Sequence, residues 1–123
     1  MQSIMTLMAP AAIGPYSQAV MKNNMLFISG QLGIDPNSGN MPPTFEEQAN
    51  LVFNNIKAVL EAADLGLSHV VKATVFLKDM NDFALLNEIY ARNFSAPFPA
   101  REAVQVARLP KDGLVEISII AMR

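Results

Sequence analysis

Apolar and polar residues follow two different periods along this chain, and the longer period predicts two helices. Apolar residues at three- and four-residue spacing predict a helix from Thr44 to about Gly66, with Thr44 and Glu47 as a capping-box pair at its start. A second stripe of this kind predicts a helix from about Asp82 to Phe94. A proline-rich segment follows and ends the second helix.

The shorter period, together with brief apolar runs, predicts five strands. They are expected at about 16–21, 25–29, 71–78, 101–106 and 114–122. The residues between the first two strands favour a hairpin turn. If the last two strands also pair across their short turn, Arg101 and Glu116 lie about 13 Å apart. They would then be poor partners within one chain but could approach each other across an interface.

The predicted order is a strand hairpin, a helix, a strand, a helix and two strands, which indicates an α+β fold with both helices on one face of a single sheet. The whole chain, 1–123, is expected to be one domain. Several strands carry apolar residues on both faces. We therefore expect the second face to be buried by association, for which closed symmetric oligomers are the usual solution.

Composition excludes several kinds of chemistry. The chain has no cysteine and a single histidine, His69, which excludes structural zinc sites, cysteine nucleophiles and multi-histidine metal centres. Its six glycines form no dinucleotide-binding or phosphate-binding motif. Its net charge is −2 with scattered lysines and arginines, which disfavours nucleic acid as a partner. The start of the chain resembles no targeting signal and no window could span a membrane, so a cytoplasmic location is expected.

One arginine is the first candidate for binding chemistry. The stretch Phe98-Pro99-Ala100-Arg101 delivers it to a strand that is otherwise mostly small and apolar. A guanidinium presents a fixed fork of donors that matches a carboxylate in bidentate geometry. Arg101 is therefore interpreted either as solvated or paired within the protein, or as the binding group for a small carboxylate ligand.

Two further polar residues interrupt apolar patterns. Asn87 falls in the inward stripe of the second predicted helix, so its amide needs a partner in a strand backbone or at the edge of a site. Glu116 lies in the apolar final strand, where it either faces solvent or is partly buried. Burial would move its pKa toward a range useful for proton transfer.

Two segments near the amino terminus add polar groups. Tyr16 follows Gly14-Pro15, a rigid lead-in that could fix the direction of the phenol. Ser29 and Gly30 end an apolar strand with a hydroxyl and an accessible backbone amide. With Arg101 and Glu116, these groups are the main candidates for chemistry on a small sheet.

The chain resembles the reactive intermediate deaminase family, RidA, also called YjgF. The segments that carry the resemblance are Gly14–Ala19 (GPYSQA), Phe27–Gln31 (FISGQ), Pro99–Arg101 (PAR), Leu109–Lys111 (LPK) and the glutamate-bearing final strand. The match runs nearly end to end, and the order and spacing of these segments make it specific. It implies a chorismate-mutase-like fold, a homotrimer with ligand sites between subunits, and no requirement for a cofactor or metal.

The resemblance also implies an activity and residue roles. The activity is hydrolysis of enamine and imine acids, such as 2-aminoacrylate, 2-iminopropanoate and 2-iminobutanoate, to 2-oxo acids and ammonia. Arg101 would hold the substrate carboxylate, Glu116 would orient or activate water, and Tyr16 would act beside them. The remaining pocket residues would be Ser29, Gly30, Asn87 and Ala103. Ala103 stands where bacterial deaminases often have a cysteine, and we interpret it as pocket wall.

Two other function classes are weighed against this one. A non-catalytic trimeric module could use the same arginine to capture a 2-oxo or amino acid and regulate a partner, because fold and pocket do not fix turnover. A ribonuclease or chaperone-like role has been attached to relatives of the family. The low basic content makes nucleic acid the least favoured partner.

Overall fold

Six strands form one mixed sheet in the computed structural model, which describes residues 1–123. The strands are β1 (Gln2–Ile4), β2 (Ala19–Lys22), β3 (Met25–Leu32), β4 (Val70–Leu77), β5 (Ala100–Gln105) and β6 (Val115–Met122). Helix α1 spans Phe45–Ala62 and helix α2 spans Phe83–Asn93. The strand order across the sheet is β1-β2-β3-β6-β4-β5, and only the β4–β5 pair is parallel. The predicted α+β class with a single sheet is confirmed.

The first helix begins as its sequence predicts. The Thr44 hydroxyl accepts a hydrogen bond from the Glu47 backbone N–H at 3.2 Å and donates one to the Glu47 carboxylate at 2.7 Å. The helix ends at Ala62, before the predicted Gly66, because Asp64 adopts a left-handed conformation with φ of 59°.

The hydrophobic core lies between the two helices and one face of the sheet. Alternate residues of the central strands are buried there, and α1 contributes the fully buried Phe53 and Ile56. Val75 of β4 and Ile117 of β6 are register partners with no exposed surface. Burial of this face fixes the register, since a one-residue slip would turn these side chains to the other face.

The pairing of the last two strands differs from the sequence prediction. β5 and β6 do not form a hairpin, because β6 inserts between β3 and β4 while β5 pairs in parallel with β4. The chain between them crosses the end of the sheet through a short 3₁₀ turn at Pro110–Asp112. The physical reason is that α2 must bury its apolar stripe on the sheet. The chain therefore comes back parallel to β4 as β5, and β6 pairs with the other edge of β4. The short edge strand β1 was not predicted.

The sheet face opposite the helices carries apolar side chains. Phe27 is 40% exposed and Met122 is 45% exposed, and both alternate with buried residues of their strands. Val104, on the edge strand β5, is 46% exposed. This agrees with the apolar residues expected on both faces. No helix of the chain is both long enough and apolar enough to cross a bilayer.

Candidate active site

Arg101 lies on β5 and points toward α2. Its register partner on β4 is Ala73, which is fully buried on the helix-covered face. The Arg101 Nη1 group donates a hydrogen bond of 2.8 Å to Asn87 Oδ1. Its guanidinium carbon lies 4.8 Å from the ring centre of Tyr90 and 5.4 Å from that of Phe83. The inward amide of Asn87 is therefore bound to a side chain of the site and not to a strand backbone.

No carboxylate neutralises this guanidinium. The ion pairs of the chain are Lys72–Glu102 at 3.0 Å, Arg92–Glu46 at 3.6 Å and Arg108–Asp112 at 2.8 Å. Arg101 is half-buried, and it lines a cleft of about 410 Å³ together with Asn87, Tyr90, Ala91, Phe98 and Pro99. We call this the arginine cleft. A partly desolvated, unpaired guanidinium at a cleft is suited to bind an anion.

Ala103 follows Arg101 on the same face of β5, level with Val75 of β4. It is half-buried and packs against the hydrophobic core. Its methyl group brings no reactive atom to this side of the sheet.

A second group of predicted residues lies where β3 meets β6. Between the pairs Ile28–Ile119 and Gln31–Ile117, the residues Ser29 and Gly30 together face the single residue Ser118, which makes a β-bulge. The Ser29 hydroxyl donates a 2.7 Å hydrogen bond to the Ser17 carbonyl, so its lone pairs remain for a ligand.

Glu116 lies directly against Gly30. A Cβ atom added at Gly30 would be 2.7 Å from the Glu116 carboxyl carbon. Because real Cβ contacts are never this short, only glycine allows the carboxyl group to occupy this position. The bulge therefore places Gly30 and the Glu116 carboxyl group side by side.

The Glu116 carboxyl group has no hydrogen-bond or ion-pair partner within the chain, and it is half-buried among the strands. Burial raises the pKa of Glu116 above its ordinary value. Of the two alternatives that the sequence left open for Glu116, the structure shows the partly buried one. A carboxyl group with a raised pKa can exchange protons closer to neutral pH.

Tyr16 is 55% exposed on the rim of a second cleft, which has a volume of about 480 Å³. Gly14, with φ of 121°, and a hydrogen bond of 2.9 Å from the Tyr16 N–H to the Gly14 carbonyl set the turn before it. Gly30 and Lys111 line the same cleft, which we call the tyrosine cleft.

The two groups of residues lie on opposite faces of the sheet. Arg101 shares the face of the buried Ala73, whereas Glu116 is level with Phe76 on the other face. The Cα atoms of Arg101 and Glu116 are two strands and three residues apart, or about 14 Å. The expectation that they are not partners in one chain is confirmed, although the hairpin used to estimate their separation was wrong.

Comparison with known proteins identifies the family. The model of the family described as Endoribonuclease L-PSP matches residues 6–123. The 2-iminobutanoate/2-iminopropanoate deaminase of Bos taurus is 52% identical over 121 residues, which are 98% of this chain and 88% of that protein. The chain belongs to the RidA family.

Solved RidA-family structures match the whole chain. RidA from an Antarctic Psychrobacter species superposes with a TM-score of 0.97 at 54% identity, covering 100% of both chains. TdcF of Escherichia coli, solved with bound serine, superposes with a TM-score of 0.96 at 46% identity, covering 100% of this chain and 99% of that one. The fold implied by the family resemblance is confirmed.

In this RidA-family chain, two residues that contact Arg101 were not among the predicted site residues. Phe83 and Tyr90 belong to the apolar stripe that predicts the second helix, and their rings contact Arg101. The available signal was their spacing, because Phe83, Asn87 and Tyr90 share one side of α2. An aromatic stripe that includes an amide can hold a guanidinium group in place as well as pack a core.

We expect two glycine substitutions to affect different properties. The change at Gly30, on β3, should affect activity, and the change at Gly33, just after β3, should affect stability. Gly30→Ala should keep the fold and lose activity, because the flexible Glu116 side chain can move away from the new methyl group. Gly33→Ala should lower the free energy of unfolding by roughly 1–3 kcal/mol, because its methyl group would meet the backbone of Gln48, with Cα at 2.6 Å. Thermal unfolding and activity assays of both variants check this. A Gly30→Ala variant with full activity would contradict the proposed position of the carboxyl group.

The raised pKa of Glu116 predicts a dependence of stability on pH. The folded chain retains the Glu116 proton to a higher pH than the unfolded chain does, so ionisation lowers the free energy of unfolding as pH rises above about 4.5. Glu116→Gln removes this loss. We expect the melting temperature of the variant, relative to wild type, to be higher at pH 8 than at pH 4. The same difference at both pH values would show that Glu116 is not desolvated in the folded protein.

Proposed function

We propose that this chain hydrolyses reactive enamine and imine acids, including 2-aminoacrylate, 2-iminopropanoate and 2-iminobutanoate, to 2-oxo acids and ammonia. The observation that carries the proposal is the unpaired guanidinium of Arg101 at the arginine cleft. The bovine relative, half identical over nearly the whole chain, bears the name of this activity.

The reaction needs few groups, because an imine is already electrophilic and more so when protonated. Arg101 binds the substrate carboxylate through its fork of N–H donors, with Asn87 holding the other side of the guanidinium. Orientation by such a clamp lowers the barrier to attack.

Glu116 acts on the attacking water. As the water oxygen bonds to C2 of the protonated imine, the C=N π bond breaks, one water proton passes to Glu116 and a carbinolamine forms. Glu116 gives this proton to the amino nitrogen, the C–N bond breaks as ammonia leaves, and the hydroxyl proton is released to solvent as the C2 carbonyl forms. The products are the 2-oxo acid and ammonia, and an enamine enters the same path after it takes the imine form. Tyr16 hydrogen-bonds the departing nitrogen, while Ser29 and the Gly30 amide line the pocket.

A complete site on this account needs two chains. Arg101 and Asn87 of one subunit face Tyr16, Ser29, Gly30 and Glu116 of the next, in a homotrimer with three sites between subunits. The opposite orientation of the two groups in one chain supports this arrangement, as does the apolar sheet face that the helices leave exposed.

The direct test couples a purified threonine dehydratase to this protein and follows the disappearance of transient 2-iminobutanoate. We expect the protein to accelerate its conversion to 2-oxobutanoate without any added cofactor. No acceleration over the dehydratase alone would contradict the proposal.

The second candidate is a non-catalytic module that captures small amino or 2-oxo acids. The serine bound to TdcF favours it, because serine carries a carboxylate but no imine. Tight binding of 2-oxobutanoate by the wild type without turnover of 2-iminobutanoate would establish this second function in place of the first.

A further inference from the structure

Two aromatic rings of α2 contact the guanidinium of Arg101. Phe83 and Tyr90 are seven residues apart, which is two helical turns, and Asn87 lies between them on the same side. The guanidinium carbon is within 6 Å of both ring centres, at 5.4 Å and 4.8 Å. Both contacts are within the range for a cation–π interaction.

The Tyr90 ring is itself fixed by the core. It is only 5% exposed, and it packs edge-on against Phe53 of α1 at 6.0 Å and in a tilted arrangement against Phe94 at 4.7 Å. Phe53 is 1% exposed. The Tyr90 ring therefore cannot rotate away from the guanidinium. Without such a contact, the long arginine side chain would sample many rotamers.

The hydrogen bonds leave one side of the arginine fork available. Asn87 accepts from Nη1, and the Nε and Nη2 groups have no protein acceptor. The ring contacts restrict the plane of the guanidinium, and the amide restricts its rotation within that plane. The remaining donors are then oriented before a ligand arrives, which favours a planar carboxylate.

We propose that Phe83 and Tyr90 are positioning residues whose rings orient Arg101 so that the site prefers a carboxylate to a neutral ligand of the same shape. This inference rests on the proposed role of Arg101 as the ligand clamp. The ring of Tyr90, and not its hydroxyl group, performs this task. That hydroxyl group is buried and has no hydrogen-bond partner within the chain.

The test compares the binding of 2-oxobutanoate and its neutral amide, 2-oxobutanamide, by calorimetry. We expect Tyr90→Leu to weaken 2-oxobutanoate binding roughly 3- to 30-fold and to reduce the preference for acid over amide. Phe83→Leu should act in the same direction, and because Phe83 is only partly buried this variant should keep its fold. Tyr90→Phe should retain the wild-type preference.

Ile89→Ala is the matched control, because Ile89 is a fully buried residue of α2, whereas the ring contacts with Arg101 come from Phe83 and Tyr90. It should lose stability and retain the acid-to-amide preference. The inference is overturned if Tyr90→Leu and Phe83→Leu keep that preference, or if Tyr90→Phe loses as much as Tyr90→Leu.

Failure of this inference is distinguishable from failure of the proposed function. If the wild type prefers the acid but does not hydrolyse 2-iminobutanoate, the proposed activity is wrong. The positioning role can still be confirmed by the ring variants. A wild type that hydrolyses 2-iminobutanoate with ring variants of unchanged preference overturns the positioning role alone. If the wild type shows no preference for the acid, the positioning role is overturned, because there is no preference for the rings to produce.

Discussion

Arg101→Lys is expected to lower kcat/KM for 2-iminobutanoate by about 100-fold or more, although it keeps the positive charge. An ammonium group cannot present two parallel N–H donors to a carboxylate, and it would also lose the fit to Asn87 and the Tyr90 ring. Arg101→Ala should lose at least as much. The dehydratase-coupled assay measures both variants against wild type.

Arg92→Lys serves as the control for this prediction. Arg92 lies on α2, the helix that lines the arginine cleft, but its side chain is 58% exposed and pairs with Glu46 at 3.6 Å. Exposed pairs of this kind contribute little, so the variant should have wild-type activity. Full acceleration by Arg101→Ala would remove Arg101 from the role of carboxylate clamp.

Glu116→Gln is expected to lower turnover by roughly 10²- to 10⁴-fold while 2-oxobutanoate still binds. The amide preserves the shape beside Gly30 but cannot accept a proton from water. Binding depends on the arginine clamp, which in the proposed site comes from the neighbouring subunit and is unchanged by this substitution. The measurement pairs single-turnover kinetics with calorimetric binding of the product.

The control for this second prediction is Glu61→Gln, which changes an exposed glutamate of α1. Its activity and binding should equal those of the wild type. If Glu116→Gln retained full turnover, another group would have to activate the water. If the variant lost binding and turnover together, Glu116 would hold the ligand instead of acting on water.

Local signals in the sequence were sufficient for much of the architecture. The Thr44–Glu47 pair predicted the start of α1, because capping bonds join residues three apart. Asn87 was correctly identified as an inward polar residue, because helical spacing determines which side chains share a face. Such relations involve only neighbouring turns and need no knowledge of the partners.

Long-range relations were harder to derive. The insertion of β6 between β3 and β4 depends on how α2 packs, and a short turn sequence favoured a hairpin instead. The contact of Gly30 with Glu116 depends on a bulge that joins strands far apart in the chain. The aromatic support of Arg101 requires the crossover that places β5 beneath α2. Each of these features depends on three-dimensional pairing that no periodicity encodes.

The central claim is that one site combines Arg101 of one subunit with Glu116 of another, and mixed assemblies test it most directly. Arg101→Ala and Glu116→Gln chains, carrying different tags, are unfolded together in equal amounts, refolded, and purified through both tags to verify mixing. Random association in a closed ring should give about a quarter of all sites both wild-type residues, so activity should return to about that fraction of wild type before purification. Verified mixed assemblies without activity would contradict a site shared between subunits.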